Sequence, residues 1–252
     1  MIALFRHAVV AVAVLGLAAA PADKITKESI VSGGQNRTYY LYVPPNAGSA
    51  PAPLIVMLHG SGRRGDVLLD AWKGLAKKEG IILAGPDASD PREWNVPQDG
   101  PEFLYDVVEA VKQARRVDPR RVYMFGHSAG AVFGLYMGLL ESQYFAAVAV
   151  SAGAFRSQAE FTSVDFAKRK IPFAVFVGTN DQFFPLAAVR ATRDAFVAAG
   201  LPFDLTEIKG HDHNYYGRAD EINKQAWKFL ASQSLSADPE FERHSFRQDG
   251  EW

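Results

Sequence analysis

The apolar positions of this chain fall into two kinds of run that alternate along it. The first kind is short and continuous: Leu54 to Leu58 (LIVML), Ile81 to Ala84, Arg121 to Phe125 (RVYMF), Phe145 to Val150 and Pro172 to Val177. Such runs suit strands covered on both faces and are too short for independent helices. The second kind keeps helical spacing: Asp66 to about Lys78, Phe103 to Arg116 with apolar residues at 104, 107, 108 and 111, and Ala129 to Leu140. Leu186 to Ala199, closed by Gly200, and Arg218 to Ala231 complete that set. Residues 37 to 43 (RTYYLYV), ended by Pro44-Pro45, read as an early strand, and Phe203 to Ile208 as the last one. Asn46 to Pro53 is a turn, and Pro86 to Pro101 is a long polar loop containing Trp94. Ser151 to Arg169 has no clean period and reads as an excursion over the strand ends. Alternating strands and helices predict a mostly parallel, doubly covered sheet in one α/β domain over residues 23–231. Residues 232–252 are polar and charged and read as a loosely held tail.

The N-terminus adds a compartment. Arg6 and His7 precede an apolar segment from Ala8 to Ala19, then Ala20-Pro21-Ala22. That is a basic start, an apolar stretch too short to span a bilayer, and a small-residue cleavage site before Asp23. Residues 1–22 are therefore expected to be a signal peptide, with export to the periplasm or beyond and no stable membrane span after cleavage. An uncleaved anchor is the rival reading. Formal net charge is -1 over 252 residues, which offers no electrostatic case for nucleic acid or an anionic membrane surface. The absence of cysteine excludes thiol catalysis, a cysteine metal site and a disulfide framework.

The candidate chemistry sits where a parallel sheet places it, on loops after strands. Gly126-His127-Ser128-Ala129-Gly130 lies between a strand and a helix, the setting that gives the pattern G-x-S-x-G its meaning. A turn that tight presents the Ser128 hydroxyl above the sheet, at the positive end of the next helix. A serine hydroxyl needs a base, and the base needs an acid to hold its tautomer. Asp181, after the strand ending at Val177, is the acid candidate. The base lies in Gly210-His211-Asp212-His213-Asn214-Tyr215-Tyr216, where His211 and His213 compete. The order serine, acid, histidine is that of α/β-hydrolases. His59-Gly60-Ser61-Gly62 supplies a glycine loop for an oxyanion hole, with the N–H groups of Ser61 and Ala129 as donors. His59 reads as a buried loop anchor. Trp94, Phe183, Phe184 and Tyr215 are candidates to line an acyl or aryl pocket. No further ligand set completes the His-x-His pair, so no metal and no cofactor is expected.

The HGSG loop, the lead-in Val117-Asp118-Pro119-Arg120-Arg121-Val122-Tyr123 and GHSAG resemble secreted esterases of the poly(3-hydroxybutyrate) depolymerase and feruloyl/acetylxylan esterase group. Residues 210–216 are similar to the catalytic-histidine segment of S-formylglutathione hydrolases, where the histidine after the aspartate is the base. The resemblance covers about residues 35–231. It implies an α/β-hydrolase fold, His213 as base, and acyl-enzyme cleavage of carboxylic esters without a cofactor. Two departures from that group, no disulfides and no appended polymer-binding domain, point to small or oligomeric esters as the partner. A serine exopeptidase or acyl-peptide hydrolase, and a catalytically silent secreted binding protein, are the alternatives.

Overall fold

Every residue of β3 (Ala52–Leu58) is buried, and its place in the sheet is the reason. It runs parallel to β4 (Ile82–Pro86) on one side and to β5 (Val117–His127) on the other. A central parallel strand carries helices on both faces, so no side chain can turn to water. The computed structural model describes residues 23–47 and 50–244, and the signal peptide expected over residues 1–22 lies outside the described residues.

Among the described residues the sheet has eight strands, in the order β1 (Ile25–Ser32), β2 (Gln35–Tyr42), β4, β3, β5, β6 (Ala147–Ser151), β7 (Phe173–Gly178) and β8 (Phe203–Ile208). β1 pairs antiparallel with β2, and β2 antiparallel with β4; every later pairing is parallel. The mostly parallel sheet expected from the apolar runs is therefore present, with an antiparallel hairpin added at one edge. β1 escaped the reading of the apolar runs because it is half-exposed and rich in polar residues. A hairpin signal was nonetheless there. Gly33 and Gly34, at φ of 57° and 76°, form the two-residue turn, and such a turn needs residues that tolerate positive φ.

The helices are α1 (Gly65–Glu79), α2 (Pro101–Ala114), α3 (Ala129–Leu140), the short α4 (Gln158–Thr162), α5 (Leu186–Ala198) and α6 (Ala219–Ala231). Gly80 closes α1 in the left-handed conformation, its N–H bonded to Ala76 O. Pro101 takes the first position of α2, which shifts that helix two residues ahead of the expected start. α3 is apolar nearly all round and buried along most of its length, packed on β5 and β6 and under the turn at Ser163–Phe166. The aperiodic stretch after β6 holds α4, capped by a reciprocal Ser157–Glu160 box.

Residues 233–244 depart from the loosely held tail expected. Leu235 is buried and its N–H donates to Arg120 O, and the Glu240 N–H donates to Gln143 O. Phe241 stacks on Tyr105 with centroids 4.0 Å apart, and His244 Nε2 meets the buried Glu141 carboxylate at 2.7 Å. Two apolar anchors, Leu235 and Phe241, together with these polar contacts lay the strap along the domain.

Candidate active site

Four loops converge at the carboxyl ends of the parallel strands. The first is the turn from β5 into α3. Strand and helix meet here without side chains between them: a Cβ at Gly126 would lie 2.2 Å from Gly130 O, and one at Gly130 would lie 2.1 Å from Leu58 O. Ser128 sits at the apex with φ 57° and ψ -118°, a conformation that L residues rarely adopt. Its N–H is taken by Ser151 O at 3.1 Å. The next N–H, that of Ala129, opens the first turn of α3, where no intrahelical acceptor exists.

The second and third loops follow β7 and β8. The Asp181 side chain is fully buried, and one carboxylate oxygen accepts the N–H groups of Phe183 and Phe184, each at 2.9 Å. The other oxygen accepts from His213 Nδ1 at 2.9 Å. That bond leaves His213 Nε2 as the acceptor for the Ser128 hydroxyl, 3.0 Å away. The His213 ring is walled by Phe184, stacked at 5.7 Å, by Phe183 at 4.7 Å and by His127 at 5.1 Å. Gly178 lets the β8 loop approach, since a Cβ there would lie 2.1 Å from His211 O. The two histidines of that loop diverge. His211 is buried, its nearest carboxylate is Asp212 at 3.9 Å, and burial lowers its pKa.

The fourth loop follows β3. His59 Nε2 accepts the Ala88 N–H at 3.1 Å, so Nδ1 carries the proton and donates to Gly60 O at 3.0 Å. Burial lowers the pKa of this imidazole and keeps it neutral in that role. Gly62, at φ 70°, donates to Pro91 O at 2.7 Å, and Trp94 Nε1 donates to His59 O at 2.9 Å. Ser61 is thereby clamped on the rim of the cleft that holds Ser128 and His213. The 86–101 loop that does the clamping is itself tied to a buried ion pair. Asp99 meets Arg37 at 2.6 Å and also accepts from Ser89 N, Ser89 Oγ and Asn95 N.

Two cavities flank the peptide between Ser128 and Ala129. The first, about 400 Å³, is lined by Ser128, His213 and Ser61 with Arg63, Phe183 and Tyr216. The second, about 380 Å³, is more apolar and is lined by Ala129, Trp94, Val132, Phe133 and Tyr136, with Glu160 of α4 at its edge. Trp94 stacks on Phe133 at 4.9 Å and so belongs to the second cavity. Tyr215 lines neither. It is fully buried, donates to Asn223 Oδ1 at 2.6 Å and packs on Phe125 and His127. Its neighbour Tyr216, on the other side of the same turn, faces the cleft in its place. His127, Arg63 and the side chains of Asn180, Gln182 and Asn214 also line the cleft without having been singled out in the sequence. His127 had a signal, being the variable position of G-x-S-x-G; the rest had none.

A family model described as Phospholipase/Carboxylesterase matches residues 98–230, just over half of the chain. The chain belongs to that family. A protein of Nocardia uniformis subsp. tsuyamanensis bearing an esterase name, NocK, is 31% identical over 141 residues, 51% of this chain and 41% of that protein. The bifunctional acetylxylan esterase/xylanase XynS20E of Neocallimastix patriciarum is 26% identical over 153 residues, 59% of this chain and 22% of its own length. This chain thus spans less than half the length of these curated relatives. An S-formylglutathione hydrolase from Agrobacterium tumefaciens superimposes with a TM-score of 0.66 at 18% identity, over 83% of this chain and 94% of that one. At that identity the likeness shows the fold, which is the α/β-hydrolase fold. In this member of the phospholipase/carboxylesterase family, the matched stretch carries Ser128, Asp181 and His213, while the 59–62 loop and Trp94 precede it.

Proposed function

We propose that the protein is an exported serine carboxylesterase that cleaves small or oligomeric esters through an acyl-enzyme. The hydrogen-bonded chain from Ser128 through His213 to Asp181, opening into a cleft, carries this reading. The chemistry follows from the geometry. His213 Nε2 takes the Ser128 proton as Oγ attacks the ester carbonyl, and the imidazolium that forms faces the buried Asp181 carboxylate. The Ser61 and Ala129 N–H groups receive the charge on the carbonyl oxygen, each donor worth about 2.7–4 kcal/mol of transition-state stabilisation. The leaving oxygen collects the proton from Nε2. Water then enters by the same route, and its attack frees the acid and restores Ser128.

Export rests on the N-terminal segment, whose cleavage would give a mature chain beginning at Asp23; the intact mass of the exported protein checks this. Among the described residues, no helix is long and apolar enough to cross a membrane. Hydroxyalkanoate, feruloyl and acetyl esters come forward as substrates through the resemblance of the HGSG and GHSAG segments to the poly(3-hydroxybutyrate) depolymerase and feruloyl/acetylxylan esterase group. Hydrolysis of p-nitrophenyl acetate and butyrate by the wild type and Ser128→Ala tests the reading. The variant is expected to lose at least about 10⁴-fold in kcat. Undiminished turnover would remove Ser128 from the reaction.

A further inference from the structure

The two cavities beside Ser128 differ in chemistry, and the position of His213 decides which half of an ester enters each. The proton leaving Nε2 must reach the alcohol oxygen, so the alcohol half lies in the cleft that His213 lines. The acyl half then extends past Ala129 toward Trp94 and Phe133. The alcohol-side cleft contains a cation. Arg63 lines it, exposed, with its guanidinium carbon 5.4 Å from the Tyr216 ring centroid. Its positive charge is felt inside the site, where it adds to the lowering of the His127 pKa and opposes the rise at Tyr216.

Arg63 lacks a carboxylate partner of the kind that several arginines of this chain have. Arg37, Arg64, Arg92, Arg120, Arg190 and Arg218 each meet a carboxylate within hydrogen-bond distance. Arg63 has no carboxylate partner among the described residues, although Arg64 beside it is held by Asp66 at 2.6 Å. Asp212, the carboxylate lining the same cleft, accepts from Asn214 N at 2.9 Å and makes no ion pair with Arg63. A planar guanidinium left free in a cleft, with the Asn180 and Gln182 amides on the same lining, suits a carboxylate oxygen pair.

Resting on the esterase reading above, we infer that Arg63 forms a carboxylate subsite for the alcohol half of the substrate. The favoured substrates are esters of hydroxy acids whose free carboxylate lies on the alcohol side. Cleavage breaks the acyl–oxygen bond, transfers the acyl group to Ser128 Oγ and releases the hydroxy acid with the proton from His213. An oligomer of a hydroxy acid would be shortened from its carboxylate end.

Three acetyl esters test this, since they share an acyl group: O-acetyl-3-hydroxybutyrate, its neutral carboxamide, and acetylcholine with a cationic alcohol. The wild type is expected to favour the carboxylate over the carboxamide by roughly tenfold in kcat/KM, less so as salt is raised. Arg63→Gln should collapse that ratio, Arg63→Lys should restore part of it, and Arg63→Glu should shift preference toward acetylcholine. The ratio is independent of any general loss of activity in a variant. A wild type that cleaves p-nitrophenyl acetate yet treats carboxylate and carboxamide alike would overturn the subsite alone. So would a ratio unchanged in Arg63→Gln and Arg63→Glu. A wild type inert toward every ester would overturn the esterase reading and the subsite with it.

Discussion

A Cβ on Gly130 would lie 2.1 Å from the carbonyl oxygen of Leu58, so α3 starts in backbone contact with the end of β3. This contact sets the height at which Ser128 stands above the sheet. Gly130→Ala forces the helix outward against backbone that cannot yield, at a cost of about 3 kcal/mol or more. One turn further on, a Cβ at Gly134 would meet Leu58 Cδ1 at 3.1 Å, the mobile end of a side chain. There alanine also gains roughly 1 kcal/mol of helix propensity over glycine. Urea unfolding of the two variants is expected to show a large loss for Gly130→Ala and little change for Gly134→Ala. Equal losses would show that the contact is not what positions the turn.

The Asp99–Arg37 pair, with side-chain exposures of 0% and 9%, pins the loop that carries Trp94. Removing the carboxylate strands a buried guanidinium that also lies 3.6 Å over the Phe103 ring. Asp99→Ala is expected to cost about 3–5 kcal/mol. For a domain of this size that lowers Tm by roughly 6–20 °C. A thermal scan checks it, and an unchanged Tm would mean the loop is held by something else.

Burial, helped by the neighbouring His213, holds the His127 pKa down to about 4 from an ordinary 6.5. Below pH 6.5 the unfolded chain therefore binds a proton that the folded chain refuses. Stability supplied by the neutral imidazole is whole above pH 6.5 and is lost as pH falls toward 4, by about 3 kcal/mol in all. Glu141, raised to about 7 by burial, slopes the other way, its contribution falling as pH rises from 4.5 to 7. The difference between wild type and His127→Asn isolates the histidine. Asparagine can keep the hydrogen bond that Nδ1 makes to Ser151 O at 3.2 Å. The variant is expected to lose less stability than the wild type between pH 7 and 4.5, and parallel losses would contradict the assignment.

The parallel core was legible because its strands are buried on both faces and so read as continuous apolar runs. β1 was not, because an edge strand with one wet face mixes Lys27, Glu28 and Ser29 into its pattern. Ser128, Asp181 and His213 were legible through chain order and loop position, whereas the sequence left His211 open beside His213. What separates the two is that Gly178 admits His211 O at backbone contact, burying one imidazole and turning the other toward Ser128. Tyr215 and Tyr216 could not be told apart for a similar reason: which of two adjacent tyrosines faces the cleft is set by Asn223 on α6, eight residues away. Arg63 carries no pattern at all. It stands out by its place in the cleft without a carboxylate partner among the described residues, a matter of three-dimensional neighbours that lie far apart in the chain.

Ser128, 3.0 Å from His213 Nε2, is expected to be an activated nucleophile. A fluorophosphonate probe on the folded protein, followed by peptide mass spectrometry, tests it most directly. One adduct is expected, on Ser128, with labelling slowed by about 10³-fold or more in His213→Ala. A folded wild-type protein that takes no label at Ser128, or labels equally fast without His213, would contradict it.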